Sequence, residues 1–225
     1  MSEMPGGNGS QISSEVKEAT GGVKLQESSV LYPLPAKPSK NKRRGSVIGV
    51  DIDEVCALYV AGCIDKHGWP DSFSEYPLIK TWPDADWNDH FGNENQIEFI
   101  RSLMPVDGAF SGIHILINAG FPVVYITSRD EEVKEASLEW LDQWGFPVAP
   151  LYCAQPDQSK MDIIELLDVA AIIEDNPTVL QGARDLGIAT FIMDRPWNWS
   201  VPGLYRCFGW THILHTIDKY WLPIG

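Results

Sequence analysis

Asp51 and Asp53 close the apolar run VIGVDIDEV at residues 47–55. A buried carboxylate without a partner is costly, so two acids one residue apart at the end of such a strand need a chemical reason. A carboxylate facing phosphorus can act as a nucleophile and split a very slow hydrolysis into two easier displacements through an acyl phosphate. Asp51 is expected in that role. A second carboxyl just past the strand's end can protonate the leaving oxygen and later activate water, which fits Asp53.

Further polar groups follow other apolar runs. Thr127, Ser128 and Arg129 follow VVYI, Lys160 opens KMDIIELL, and Glu174 with Asp175 follows AAII. Hydroxyls and main-chain N–H groups at a helix start bind phosphate oxygens, which suits Thr127 and Ser128, with Arg129 beside them. Lys160 supplies positive charge. Carboxylates would repel a dianionic phosphate unless a hard, oxygen-seeking cation lay between them, so Asp51, Asp175 and Glu174 imply Mg²⁺. Taken singly, Ser128 also fits a helix cap, Lys160 a solvated first turn, and Asp175 with Asn176 a plain turn. Their order along the chain is what favours a site.

That site requires strands whose carboxyl ends share one rim, as in open parallel sheets. From Pro105 onward, helical and strand patterns alternate. In AFSGIHILINAG, Phe110, Ile113, Leu116 and Ile117 share a helical face and Gly120 stops the helix. FPVVYIT reads as a buried strand. Val133, Ala136, Trp140, Leu141 and Trp144 keep helical spacing, with Ser128 and Glu131 as a capping box. FPVAPLYC, AAIIED and ATFIMD read as further strands. Ser159 caps one helix, and Asn176 and Pro177 start another that ends at Gly187. FGWTHILHTIDKYW is expected to be a closing helix, with His212 and His215 on it as helix residues rather than metal ligands. Arg195 and Trp197 border the end of the fifth strand. The expected fold is α/β with a mainly parallel sheet covered on both faces.

Residues 1–45 are rich in Gly, Ser, Pro and charge and read as a disordered arm. Residues 46–60 and 105–225 form the core. Between them, 61–104 break the rhythm with aromatics and acids and read as an inserted segment, helical near Gln96–Met104.

The 225-residue chain carries a formal charge of −14. The arm holds seven Lys or Arg against four Glu, +3, which leaves −17 on the remaining 180 residues. Such a body argues against a nucleic-acid groove or an anionic membrane face, and an anionic substrate then needs a metal ion or clustered donors. The four cysteines have no metal-ligand spacing and no apolar run suits a signal peptide or membrane span. Reduced thiols in a cytoplasmic protein are expected, and the oligomeric state is left open.

The ordered motifs VIGVDIDEV, VVYITSR, SKMD and AAIIEDNP resemble those of the haloacid dehalogenase (HAD) superfamily of phosphohydrolases over about residues 46–199. The insertion, MPVDGA, TSR and MDRPWN are similar to the 5′(3′)-deoxyribonucleotidase group. The resemblance implies a Rossmann-like HAD core with a small inserted (C1-type) cap and a nucleophile at Asp51 with an acid/base at Asp53. It also implies phosphate binding at Thr127, Ser128 and Lys160, and Mg²⁺ at Asp51, Asp175 and the main-chain oxygen of Asp53. It places Tyr59 beside the substrate, with Trp69, Tyr76, Trp82, Trp87 and Phe91 as cap candidates for holding the base. The expected substrate is a small phosphate monoester, a nucleoside monophosphate. Where the family usually has Gly after the second acid, this chain has Glu54.

Two other functions compete. A phosphatase of nucleic-acid ends draws support only from the basic run Lys40–Arg44. A phospho-acceptor module uses similar residue types, but it places its acid pair before the acceptor, whereas Glu174 and Asp175 come last here.

Overall fold

Three wholly buried residues, Ile48–Val50, form strand β1, and main-chain pairing on both sides satisfies a backbone that no water reaches. Residues 46–67, 93–155, 157–202 and 205–221 are described by the computed structural model. The expected arm lies outside these residues, as do Trp69, Tyr76, Trp82, Trp87 and Phe91.

On one side β1 pairs in parallel with β2 (Val123–Thr127), which pairs with β3 (Leu151–Cys153). On the other it pairs with β4 (Ala171–Glu174), followed by β5 (Ala189–Met193) and β6 (Tyr205–Cys207). All five pairings are parallel and the order is β3-β2-β1-β4-β5-β6. The chain therefore works outward from β1 in one direction, then returns and works outward in the other. At such a reversal the loops part at the carboxyl ends of the strands and leave a crevice. Val50 is level with Tyr125 and Ile173, so Asp51 leaves the sheet beside Glu174.

Alternation along the strands divides the core in two. Val124, Ile126 and Ile172 pack with Ile163 and Ile164 of α5 (Lys160–Leu166) and with Val179 and Ala183 of α6 (Pro177–Asp185). Ile48, Val50, Tyr125 and Ile173 belong to the larger cluster on the opposite face. That cluster takes in α3 (Ala109–Asn118), α4 (Lys134–Gln143) and α7 (Trp210–Thr216). Cys63 of α1 (Tyr59–His67) and Phe99 and Ile100 of α2 (Asn93–Ser102) are buried in it too, so the two helices that flank 68–92 rest on the core.

Four local expectations change. Phe110 is 44% exposed, and the buried side of α3 is Ala109, Gly112, Ile113 and Leu116. The cause is Trp210: a Cβ on Gly112 would lie 2.3 Å from its ring, so the small side of the helix, not Phe110, faces the core. Ser128 is exposed and makes no cap. A 3₁₀ turn at Glu131–Val133 without a side-chain cap bond precedes α4. A sixth strand exists that SVPGLYRC did not signal, since three residues are too few for periodicity. Beyond α7 the chain continues as a π-helical turn, Ile217–Trp221. The real capping box belongs to α5, where Asp162 N–H donates to Ser159 Oγ and Ser159 N–H donates to Asp162 Oδ2.

Candidate active site

Because β1 stops at Val50, Asp51 is carried out of the sheet while still anchored to it. Its N–H donates to Ile173 O at 3.0 Å, and its Oδ1 accepts from Ile52 N at 2.7 Å. Lys160, first residue of α5, reaches under the strand ends and places Nζ 2.7 Å from Asp51 Oδ1 and 3.0 Å from Glu174 Oε2. Glu174 Oε1 accepts from the N–H groups of Asp175 and Asn176. Asp175 Oδ2 accepts from Trp197 Nε1 at 2.7 Å, and its carbonyl accepts from Asn198 Nδ2 at 2.9 Å.

The electrostatics follow from burial. Burial first, then Glu174, raises the Asp51 carboxyl well above the usual range, although Lys160 opposes this. Burial, then Asp51 and Glu54, pushes Asp175 up to about 8. Burial alone would lower Lys160, but Asp51 and Glu174 outweigh it and hold the ammonium charged. These shifts describe carboxylates short of positive charge.

A count of partners shows the same shortage. Arg129 forks onto Asp53, with Nε 3.1 Å from Oδ2 and Nη2 2.6 Å from Oδ1, while Nη1 donates to Ser137 Oγ. Arg195 Nε lies 2.9 Å from Glu54 Oε2. With those two acids paired, Asp51, Glu174 and Asp175 share, among the described residues, one ammonium, that of Lys160. Each of the three offers a carboxylate oxygen within 4.8 Å of the others. Fully ionised, the three carboxylates would carry two negative charges more than the ammonium offsets, and hard oxygen donors in this number suit a divalent cation. The residues present therefore fit Mg²⁺, with Asp51 and Asp175 the better placed. The Glu174 oxygens are already taken by Lys160 and two main-chain amides.

One cavity of about 240 Å³ gathers Asp51, Asp53, Glu54, Tyr59, Ser128, Arg129, Lys160 and Asp175. Asp51, Asp53, Glu54 and Asp175 make its lining acidic, with Lys160 and Arg129 among them. Its other wall is built by Tyr59, Val60 and Cys63 from α1 and by Gln96 and Ile100 from α2. Tyr59 meets Phe99 edge-on at 5.3 Å. Thr127 and Glu174 lie beneath the wall rather than on it. Thr127 is wholly buried and its Oγ1 accepts from Arg129 N–H. Arg129, expected among the phosphate ligands, is turned instead to Asp53 and Ser137. His212 stands apart, accepting at Nδ1 from Phe208 N–H, and neither it nor His215 belongs to the converging acids.

No family model matches the chain. A protein named as a nucleotidase from Oceanobacillus iheyensis is 30% identical over 109 residues, 48% of this chain. The chain spans 58% of that relative's length. A protein named as a 5′(3′)-deoxyribonucleotidase from Chlorobaculum tepidum is 24% identical over 203 residues, covering 82% of this chain and 96% of its own. Among solved structures, a HAD hydrolase of Bacillus subtilis, described as bound to magnesium, superposes with a TM-score of 0.53 at 13% identity. It covers 78% of this chain and all of its own. The fold is that of the HAD hydrolases.

Within this HAD fold, Glu54 is the unusual residue. It holds a left-handed backbone, φ +60°, which costs a non-glycine residue about 1–2 kcal/mol and suits the Gly usual in the family. Its side chain compensates: Oε1 accepts from Val60 N–H at 2.7 Å and Oε2 from Arg195. Burial raises its carboxyl, and Arg195 pulls it back. Asn198 and Ser137 were not signalled by the sequence. Asn198 is wholly buried and bonds Asp175, Met193, Arg195 and Arg206, yet nothing in MDRPWN marks it as more than a turn residue. Arg195 and Trp197, expected at the border, stand respectively on Glu54 and on Asp175.

Proposed function

We propose that this chain is a Mg²⁺-dependent phosphomonoester hydrolase that dephosphorylates nucleoside or deoxynucleoside monophosphates through an aspartyl phosphate on Asp51. The observation that carries the reading is the convergence of three buried carboxyl groups, Asp51, Glu174 and Asp175, with Lys160 at the strand ends, beside a cavity with an apolar wall. When bound, the cation offsets charge on the phosphoryl oxygens and on the acids around them. Asp51 attacks phosphorus through a carboxylate oxygen and the bond from phosphorus to the ester oxygen breaks. Asp53 gives its proton to that oxygen, then takes one from the water that attacks the acyl phosphate, freeing Asp51 and inorganic phosphate. Lys160 holds Asp51 in line and neutralises it between turnovers. Ser128 and main-chain N–H groups receive phosphate oxygens at the mouth, while Tyr59 and Ile100 offer surface to the leaving nucleoside.

The hydrolase class is supported by the HAD fold and by both nucleotidase-named relatives. A cytoplasmic setting accords with four free, buried thiols. Among the described residues, no helix is long and apolar enough to cross a membrane. The experiment is phosphate release by the purified protein from a panel of mononucleotides with and without Mg²⁺. Release that needs Mg²⁺ and is lost in Asp51→Asn supports the reading, and no release from any of them refutes it.

A further inference from the structure

The turn that carries Asp53 is tied through Glu54 to Arg195, in the loop whose next residues reach Asp175. Arg195 follows β5 and meets Glu54 twice, with Nε donating to the carboxylate at 2.9 Å and Nη2 donating to the main-chain oxygen at 2.6 Å. Glu54 N–H donates to Ala57 O at 2.7 Å, and its other carboxylate oxygen holds Val60 N–H. The turn, the start of α1 and the loop after β5 therefore meet at one side chain. From Arg195 the chain runs straight into the 3₁₀ turn Pro196–Asn198. Trp197 there donates to the Asp175 carboxylate, and Asn198 grips the Asp175 carbonyl while accepting from Arg195 N–H. Glycine would meet the φ of +60° with no strain, yet it would remove the side chain that makes two of these four links. The strained residue is thus kept together with a bond across to the loop after β5.

We propose that Glu54 and Arg195 act as a positioning pair for the reaction. Their ion pair fixes the Asp53 turn against the Trp197 loop, and so sets Asp53 and Asp175 relative to each other across the cavity. Neither needs to touch the substrate. The inference rests on the phosphomonoesterase reading for its consequence, but the link itself is geometric.

The test uses the full chain and the variants Glu54→Gly, Arg195→Met, Arg195→Lys and the double variant Glu54→Gly with Arg195→Met. kcat and KM are measured on p-nitrophenyl phosphate with Mg²⁺, Mn²⁺ affinity is read by electron paramagnetic resonance, and thermal midpoints are recorded. The pair predicts that Glu54→Gly and Arg195→Met each lower kcat about tenfold with KM within about twofold, the signature of lost transition-state alignment. The double variant should lose about tenfold, not about a hundredfold, because coupled residues are not additive. Mn²⁺ affinity should fall in both, and Arg195→Lys, which keeps a cation beside Glu54, should recover most of kcat. Wild-type kcat and Mn²⁺ affinity in Glu54→Gly, or multiplicative losses in the double variant, would overturn the proposal. A wild type that binds Mn²⁺ but releases no phosphate defeats the phosphatase reading alone. The pair is then judged by Mn²⁺ affinity, which must fall in both single variants for it to stand.

Discussion

Arg129 grips both carboxylate oxygens of Asp53, 76 residues earlier in the chain, while its remaining nitrogen donates to Ser137. The fork leaves the acid little freedom to rotate, since a guanidinium binds a carboxylate through a fixed planar geometry. Lysine cannot reproduce it. Arg129→Lys should therefore lower kcat by about 10²-fold, with the thermal midpoint less affected than in Arg129→Met, whose loss leaves Asp53 unpaired. Steady-state kinetics with parallel melting curves check this. An unchanged kcat in Arg129→Lys would remove the orienting role.

Lys160 is the ammonium between Asp51 and Glu174. Removing one partner from a buried charge cluster is strongly destabilising, by about 3–5 kcal/mol, so Lys160→Met should lose stability of that order in urea unfolding at neutral pH. Part of the loss should return at acid pH, where the carboxyls protonate. A loss that is the same at both pH values would show that packing, not charge, is at stake.

Stability should depend on pH in a direction opposite to that of an ordinary paired carboxylate. Asp175, raised to about 8 by burial and by its acidic neighbours, takes up its proton more readily folded than unfolded. Its contribution is fully present below the unfolded pKa near 4 and is lost as pH rises towards 8. The cation-free protein should thus melt at a lower temperature at pH 8 than at pH 5.5, and added Mg²⁺ should raise the midpoint more at pH 8. Equal shifts at both pH values would contradict the charge count at the strand ends.

Gly112 offers a test remote from the chemistry. A Cβ there would lie 2.3 Å from the Trp210 ring, and Trp210 Nε1 donates to Val55 O, two residues after Asp53. Gly112→Ala should destabilise the protein by about 1–3 kcal/mol through overpacking and should also weaken activity by shifting the acid turn. Urea midpoints and kcat read the two effects separately.

The sheet and the acids at its edge were legible because buried parallel strands read as apolar runs, and a charge at the end of such a run stands out. VIGVDIDEV, VVYITSR and AAIIEDNP gave the rim, and Asn176–Pro177 and Ser159 gave two helix starts. What stayed hidden is tertiary. Whether Arg129 would face phosphate or Asp53 depends on where Ser137 stands, and no spacing encodes that. The role of Glu54 was hidden because its partner Arg195 lies 141 residues away. Phe110 was assigned to the core by periodicity, which records apolar positions but not which side of a helix a neighbouring tryptophan will occupy.

The central claim is that Asp51 carries the phosphoryl group. Acid quench of the enzyme during turnover of a competent mononucleotide with Mg²⁺, followed by peptide mapping by mass spectrometry, tests it most directly. One acid-stable phosphoryl group is expected on the peptide containing Asp51, absent in Asp51→Asn. Full phosphate release with no phosphorylated peptide at any quench time, or a phosphoryl group on another residue, would contradict it.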